Sequence, residues 1–252
     1  MAGRLALAVR CQEKGETALA TDTLKSERLY ARIAGAAYIV TMILGIFSVN
    51  YIESNLIVAG NDAATVTNIS ANLPLFRIGI ASEILMYVLV VLLAFSLYTV
   101  LKSVDKNLAL LALLWRMGEA ILGGATTVLS GLIPIMLVER GSVFGPEQFQ
   151  TLVKLFLDIR SAGLDIVLIF IGLGGTIFLY LFLKSKFVPK ILAVLGMLTY
   201  LLMLLLSFTS ILTPISETTK MAFYAPGGLF ELIFGLWLLI KSVNVQQKTV
   251  VS

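Results

Sequence analysis

The sequence predicts an all-α membrane protein, a polytopic bundle of six transmembrane helices with one or two amphipathic helices facing outward. Two observations support this class. Of the 252 residues, 58% are hydrophobic and only 13% are charged, whereas about 25% of the residues in a soluble domain are charged. The apolar residues also fall in runs of roughly 20, which is the length that crosses a bilayer as a helix. We therefore expect the lipid bilayer to be the main partner of the chain.

The residue types that the chain lacks restrict its chemistry. There is no histidine, which removes imidazole general bases, haem-histidine ligation and the usual histidine zinc sites. The one cysteine, Cys11, cannot form an intramolecular disulfide, and we interpret it as a free cytoplasmic thiol. The net charge of +4 forms no basic stripe, so nothing indicates nucleic-acid binding. We expect no metal and no cofactor.

The polarity of the chain divides it into three parts. Residues 1–27 are mixed and polar, and their apolar run is shorter than the roughly 7–15 residues of a signal-peptide core. We expect them to form a disordered or loosely helical cytoplasmic tail. Residues 28–241 form the six-helix membrane domain, and residues 242–252 form a short cytoplasmic tail.

Six apolar runs define the predicted spans. They are residues 31–49, 76–101, 108–138, 162–183, 191–212 and 221–240. The first contains small residues, including Gly35, which let helices pack closely. The fourth contains the string Gly172-Leu-Gly-Gly175, which lacks the lysine and the strand of a phosphate loop, so we prefer helix packing to nucleotide binding. Pro226 is expected to break or kink the start of the sixth span.

Two connections contain signals for short helices outside the spans. Asn61 or Asp62 is placed to cap an amphipathic helix that ends at about Asn72. Pro146 suits the first turn of another helix. Apolar residues recur at helical spacing from there to about Arg160, which predicts an interfacial amphipathic helix before the fourth span.

Lysine and arginine are unevenly divided between the two sides of a six-span chain. One side holds Arg4, Arg10, Lys14, Lys25, Arg28, Arg32, Lys102, Lys106, Lys184, Lys186, Lys190, Lys241 and Lys248. The other side holds Arg140, Lys154, Arg160 and Lys220. Because basic residues are retained on the cytoplasmic side, both termini are predicted to be cytoplasmic in a multi-pass protein of the cell membrane.

Six charged residues within or beside the spans are the candidate site residues. They are Arg77, Glu83, Arg116, Glu119, Asp165 and Glu231. A charge near the middle of a span costs about 2.5–3.5 kcal/mol, so it is seldom there by accident. The carboxylates lie at overlapping depths, and they can meet only if they face the bundle interior.

The third span carries two of these charges within one turn. Arg116 and Glu119 are spaced i, i+3, which puts them on one helix face and predicts that they pair. Arginine does not deprotonate in proteins, so we expect carboxylates to neutralise the charge of Arg116. Glu83 and Glu231 are the candidate partners from other helices.

These charges leave two functions open. In the first, a polar cavity in the outer half of the bundle binds or moves a small solute, an ion or a proton. In the second, the charges are purely structural and the protein is a non-catalytic membrane component that acts through a protein partner. A cavity lined by Glu83, Glu119 and Glu231 would favour the first, and a dry, fully paired polar core would favour the second. The sequence does not distinguish a protein partner from a homo-oligomer.

An intramembrane enzyme is the weaker interpretation. Asp158 and Asp165 lie about 10 Å apart along a helix, too far for two carboxylates that share a proton. The chain shows no nucleophile motif, metal cluster or cofactor fingerprint that would support catalysis.

Four short motifs in a fixed order resemble a known family. They are Arg32-Ile-Ala-Gly35, Phe76-Arg77-Ile-Gly79, Arg116-x-x-Glu119, and Pro226-Gly-Gly-Leu-Phe-Glu231 followed by Gly235-Leu-Trp237-Leu. Between about Glu27 and Lys241 the chain resembles the prokaryotic membrane family catalogued as domain of unknown function 4386. The resemblance implies an integral membrane protein with no assigned activity and brings no catalytic residues. It also implies that Arg77, Arg116, Glu119 and Glu231 are family features.

Overall fold

The computed structural model describes residues 2–58, 60–139, 145–213 and 215–244, and every element in these ranges is a helix. The α-helices are α1 (Ala2–Phe47), α2 (Ser54–Leu56), α3 (Asp62–Ala71), α4 (Leu73–Leu101), α5 (Lys106–Thr127), α6 (Ile133–Glu139), α7 (Pro146–Ser185), α8 (Lys190–Leu212) and α9 (Glu217–Lys241). Two π-helical segments, Ser48–Glu53 and Val128–Leu132, follow α1 and α5. The predicted all-α class is confirmed.

Six helical segments within the described residues are long and apolar enough to cross a membrane. They are Asp22–Phe47 of α1, α4, the continuous run Lys106–Glu139 through α5 and α6, Glu147–Ser185 of α7, α8, and Thr218–Lys241 of α9. This confirms the six predicted spans and a multi-pass membrane protein. We call the end of the bundle where α1 ends and α4 begins the distal end.

The six spanning helices form a closed ring. Each packs against the next in the order α1, α4, α5, α7, α8 and α9, and α9 packs back against α1. Short connections such as the one between α4 and α5 make neighbours antiparallel. The ring gives every helix an inner face, where side chains from non-neighbouring helices can meet.

The polarity of the ring is the reverse of that of a soluble bundle. Large apolar side chains point outward, for example Leu114, Ile121 and Leu205, each more than half exposed. Charged side chains such as Arg116 and Asp165 are buried instead. In hydrocarbon, exposed leucine costs nothing whereas an exposed charge is expensive, so this arrangement matches a lipid-facing exterior.

Glycines allow the closest approaches between helices. A Cβ atom at Gly35 of α1 would lie 2.5 Å from the backbone nitrogen of Leu239 on α9. Gly235 of α9 lies in the same seam, against Tyr38 of α1. The small-residue face of the first span is therefore the surface on which the ring closes, in line with its predicted packing role.

Two helix boundaries differ from the predicted ones. α7 runs unbroken from Pro146 to Ser185, so the segment up to Arg160 is the first part of the spanning helix rather than a separate interfacial helix. Nothing between Pro146 and Arg160 interrupts a helix, and charge alone does not end one. α9 starts at Glu217 and contains Pro226 in its interior, so the predicted break at this proline is wrong, whereas the predicted kink stays a prediction. Proline removes one backbone hydrogen bond, a loss that membrane helices tolerate where neighbouring groups satisfy the freed carbonyl, and α9 packs against α1 and α8.

Two other local expectations concern the polar ends of helices. α1 begins at Ala2 and is continuous with the first span. The N-terminal segment is therefore helical, which was one of the two predicted alternatives. Asn61, rather than Asp62, caps α3, because its side chain accepts a hydrogen bond of 3.0 Å from the amide of Ala64.

Candidate functional site

The six predicted site residues occupy four separate places. Arg116, Glu119 and Glu231 lie in a central cluster inside the ring, Glu83 lies in a cluster nearer the distal end, Asp165 lies in a second distal cluster, and Arg77 lies on the surface. The structure therefore brings three of the six together and distributes the rest. Each group has its own set of partners.

Arg77 takes no part in the interior. Its guanidinium donates to the carboxylate of Glu139 at the end of α6, and both side chains are half exposed. An ion pair this exposed contributes little to stability, and it joins the distal ends of α4 and α6.

The Glu83 cluster consists of Glu83, Arg160, Ser48 and Thr127. Arg160 of α7 donates through both of its terminal nitrogens to the Glu83 carboxylate, and the Nη1–Oε2 distance is 3.0 Å. Ser48 and Thr127 donate their hydroxyls to the same carboxylate. Bidentate pairing with arginine is the strongest common geometry for a carboxylate, so Glu83 is well satisfied.

Both π-helical segments lie at this cluster. Ser48 is the first residue of one, and Thr127 directly precedes the other. A π-helical turn changes the angle at which the next side chains leave the helix, and such turns recur at functional sites. Here Ser48 in the first segment and Thr127 at the end of α5 donate to opposite oxygens of Glu83.

Two cavities adjoin the Glu83 cluster on its distal side. The inner one, lined by Glu83, Arg160, Ser48 and apolar residues, has a volume of about 10 Å³, and about 10–15 Å³ is needed to hold one water. The outer one has a volume of about 140 Å³ and shares Ile57 and Leu157 with the inner one. Its polar lining consists of Asp62, Thr65, Lys154 and Asp158.

The Asp165 cluster is also an ion pair with hydroxyl donors. Lys220 at the start of α9 donates to Asp165 Oδ2 at 2.8 Å, and Ser210 donates to the same oxygen at 2.8 Å. Tyr224 donates to the other oxygen at 3.2 Å. This cluster joins α7, α8 and α9, and its carboxylate has a cation and two hydroxyls.

The central cluster consists of Arg116, Glu119, Glu231, Tyr38 and Tyr200, from α1, α5, α8 and α9. Arg116 Nη1 lies 2.8 Å from Glu119 Oε2, as the i, i+3 spacing predicts. The Tyr200 hydroxyl donates to Glu231 at 2.8 Å and lies 3.4 Å from the Tyr38 hydroxyl. Glu231, Tyr38 and Tyr200 all lie within electrostatic reach of Arg116.

The contact between Arg116 and Glu119 is an ion pair without aligned hydrogen bonds. Arg116 Nε and Nη1 and Glu119 Oε2 are buried and have no hydrogen-bond partner among the described residues. Both side chains are almost fully buried. The central cluster is thus less well satisfied than the Glu83 cluster, where the same kinds of group bond in bidentate geometry.

The glycines of the fourth span bring the central cluster together. A Cβ at Gly174 would lie 2.9 Å from Cγ of Arg116, and a Cβ at Gly175 would lie 2.6 Å from the ring of Tyr200. Two successive glycines on α7 thus make room for a side chain from α5 and another from α8. This agrees with helix packing as the role of the Gly172–Gly175 string.

The balance of charge differs between the clusters. Glu83 faces Arg160, and Asp165 faces Lys220, one cation to one carboxylate in each case. The central cluster has two carboxylates, Glu119 and Glu231, around one guanidinium. With every group ionised it has one excess negative charge.

Sequence reasoning missed four of the residues that complete these clusters. The sequence places Arg160 and Lys220 between the predicted spans on the less basic side, although an intramembrane carboxylate at similar depth needs a counter-charge. That need was the available signal, but it does not say which cation meets which carboxylate. Tyr38 and Tyr200 gave no signal, because tyrosine in an apolar helix is ordinary.

The fold and the site define a polytopic, all-helical membrane protein with three clusters of charged side chains inside a ring of helices. Comparison with protein families agrees with this class. The chain belongs to the family described as Domain of unknown function (DUF4386), whose model matches residues 33–242. Comparison with curated proteins and with solved structures gave no match.

Proposed function

We propose that the protein binds protons inside the membrane and moves them across it, with the central cluster as the proton-binding site. The observation that supports this is that two carboxylates inside the ring, Glu119 and Glu231, lie within electrostatic reach of the one guanidinium of Arg116, with Glu119 Oε2 2.8 Å from Arg116 Nη1. Arginine remains charged in proteins, so the carboxylates are the groups that can change state. A single proton on either of them makes the cluster neutral, which a low-dielectric interior favours.

The neighbouring residues also favour a proton over a larger cargo. Tyr38 and Tyr200 place two hydroxyls in contact beside Glu231, and hydroxyls both accept and donate protons. The cavity next to Glu83 holds about one water at most. A hydrated metal ion or an organic solute would not fit in this inner cavity and could enter only the outer one of about 140 Å³, whereas a proton needs no cavity.

We further propose that this activity belongs to residues 28–241 in the cell membrane, with both termini cytoplasmic and residues 1–27 and 242–252 as tails. The uneven distribution of lysine and arginine supports this orientation. The connections at the opposite end from the distal one carry Lys102, Lys106, Lys184, Lys186 and Lys190. The Glu83 and Asp165 clusters would then lie towards the outside.

Proton flux into proteoliposomes tests the proposed function. Purified protein is reconstituted with a pH-sensitive dye trapped inside, and a potassium gradient with valinomycin sets the interior negative. We expect the dye to report acidification that depends on the protein. Glu231→Gln should abolish it, because the central cluster then has one carboxylate for one guanidinium.

A matched control comes from a carboxylate outside the ring. Glu139→Gln removes an exposed carboxylate of the same type and should leave the flux unchanged. Wild-type vesicles that behave like protein-free vesicles, at either polarity and at acidic as well as neutral pH, would refute proton movement.

A non-catalytic component acting through a partner is the second candidate. The observation that favours it is the complete pairing of Glu83 and Asp165, whose role is explained by holding helices together. In that case the wild type should show no proton flux, and Glu231→Gln should change only the thermal stability.

A further inference from the structure

The two carboxylates of the central cluster have different partners. Glu119 Oε2 lies 2.8 Å from Arg116 Nη1, which is the contact of an ion pair. Glu231 accepts a hydrogen bond of 2.8 Å from the Tyr200 hydroxyl, and among the described residues no cation lies within ion-pair distance of it. One carboxylate is therefore matched with a fixed positive charge and the other with a neutral group.

A second hydroxyl lies behind that of Tyr200. The Tyr38 hydroxyl of α1 is 3.4 Å from the Tyr200 hydroxyl, at the long end of hydrogen-bonding distance, and either oxygen can donate. Both tyrosines are buried. Within the described part of the chain, the titratable and charged groups that face Glu231 from other helices are these two hydroxyls, Arg116 and Glu119.

Packing on α9 holds both tyrosine rings in place. Phe230, directly before Glu231, meets the ring of Tyr200 edge to face with 5.9 Å between the ring centroids. Phe234 meets the ring of Tyr38 in the same way at 5.8 Å. The helix that carries the carboxylate thus also positions the two phenols. With the rings held, each hydroxyl hydrogen can still turn about its C–O bond.

A hydroxyl can satisfy a carboxyl group in both of its protonation states, because it donates as well as accepts. Tyr200 donates to Glu231 when this carboxylate is ionised and accepts from it when it is protonated. In the protonated state the Tyr200 hydrogen turns towards the Tyr38 oxygen, with which it is already in contact. The guanidinium of Arg116 has donors and a fixed charge only, so it favours the ionised state of Glu119.

We propose that Glu231 is the carboxylate that carries the proton, and that Tyr200 and Tyr38 are positioning residues that stabilise it in both protonation states. This inference rests on the proposed function and names which of the two carboxylates in its site takes the proton. Glu119 remains ionised throughout as the counter-charge of Arg116.

Proton binding in this arrangement is one balanced step followed by one rotation. A hydronium ion gives up one proton, which forms an O–H bond on the Glu231 carboxylate, and leaves as water. The Tyr200 hydroxyl then turns from Glu231 to the Tyr38 oxygen. No bond in either tyrosine breaks and no electrons are exchanged, and proton release reverses both events.

Infrared spectroscopy of the purified protein tests which carboxylate carries the proton. Exposed carboxylates are ionised at neutral pH, so the C=O band of a protonated carboxyl group at that pH reports a group in the interior. We expect this band to move in Glu231→Asp, because the protonated group itself is replaced, and to keep its position in Glu119→Asp. The two variants are a matched pair, since each keeps the number of carboxylates in the central cluster.

Removing one hydroxyl tests the positioning role. Tyr200→Phe keeps the ring against Phe230 and removes the hydrogen bond to Glu231. We expect the C=O band to move to higher frequency, because the carboxyl group loses a hydrogen bond, whereas a packing role alone would leave the band in place. Proton flux in the proteoliposome assay should fall about tenfold, the lower end of what a hydrogen bond to a charged group contributes.

Tyr180→Phe is the matched control for this variant, because Tyr180 lies on α7 with 43% of its surface exposed. Its band and its flux should equal those of the wild type.

The outcomes separate this inference from the proposed function. A band that moves in Glu119→Asp rather than in Glu231→Asp, or equally in both, overturns the inference, as does the absence of such a band or a band that Tyr200→Phe leaves unchanged. Wild-type flux together with any of these results retains the proposed function. Absence of wild-type flux overturns the proposed function, whereas the infrared result, which needs no flux, still decides which carboxylate binds the proton.

Discussion

Arg116 and Glu119 face each other across 2.8 Å on one turn of α5, with only 4% and 3% of their side chains exposed. Loss of one partner would leave an uncompensated charge in a dry interior, at a cost of about 3–5 kcal/mol. Loss of both leaves no charge there. We predict that Arg116→Met and Glu119→Leu each lower the stability, and that the double variant is more stable than the sum of the two losses implies.

The measurement is a double-mutant cycle of thermal melts in detergent. Additive losses would mean that the two residues do not interact energetically. In that case Glu231 would be the counter-charge of Arg116, and Glu231→Leu would show the coupling in its place.

The ring seam between α1 and α9 depends on Gly35. Gly35→Ala would place a methyl group 2.5 Å from the α9 backbone at Leu239, and a backbone cannot move aside as a flexible side chain does. We expect a loss of about 1–3 kcal/mol, typical of overpacking. Gly124→Ala is the control, because nothing lies within 4 Å of the added carbon. It should be neutral or up to about 1 kcal/mol more stable, since alanine favours the helix.

Buried and surface ion pairs at the distal end should differ in importance. Lys220 and Asp165 are both more than nine-tenths buried, so Lys220→Met leaves a buried carboxylate with hydroxyl donors only. We expect a loss of about 3 kcal/mol or more. Arg77→Met breaks the half-exposed pair with Glu139 and should cost about 0–1 kcal/mol. Equal losses in detergent melts would contradict the burial of the Asp165 cluster.

Cysteine labelling can test the orientation of the chain in the membrane. In a Cys11→Ser background, single cysteines at Gly60 and Ser216 should react with a membrane-impermeant maleimide applied to whole cells. Single cysteines at Lys106 and Lys186 should react only after the membrane is opened, because lysine-rich connections are retained inside. Labelling of Lys186→Cys in intact cells would contradict the proposed topology.

The sequence predicts the six spans and the local ion pair because both depend on short-range information. Span length follows from apolar run length, and the Arg116–Glu119 contact follows from helical periodicity. The pairings of Arg160 with Glu83 and of Lys220 with Asp165 join residues 77 and 55 positions apart. Such pairings depend on how the helices are arranged around the ring, which periodicity does not encode.

Three other features of the structure could not be predicted from the sequence. The π-helical segments Ser48–Glu53 and Val128–Leu132 are too short for hydrophobic periodicity to reveal. α9 continues through Pro226, although proline cannot donate the backbone hydrogen bond of a helix interior. The role of Gly123 becomes evident only once Tyr87 is seen against it.

Closure of the ring between Gly35 and Gly235 has a consequence for how the protein is made. Each earlier helix finds its neighbour soon after it is synthesised, but α1 must wait for α9, some 200 residues later by the numbers of these two glycines. During that interval Arg116 and Glu119 are in the membrane without Glu231. A ribosome-bound chain that stops before α9 therefore carries charged groups on an unsealed bundle, and incompletely folded chains of this kind are substrates for chaperones and proteases.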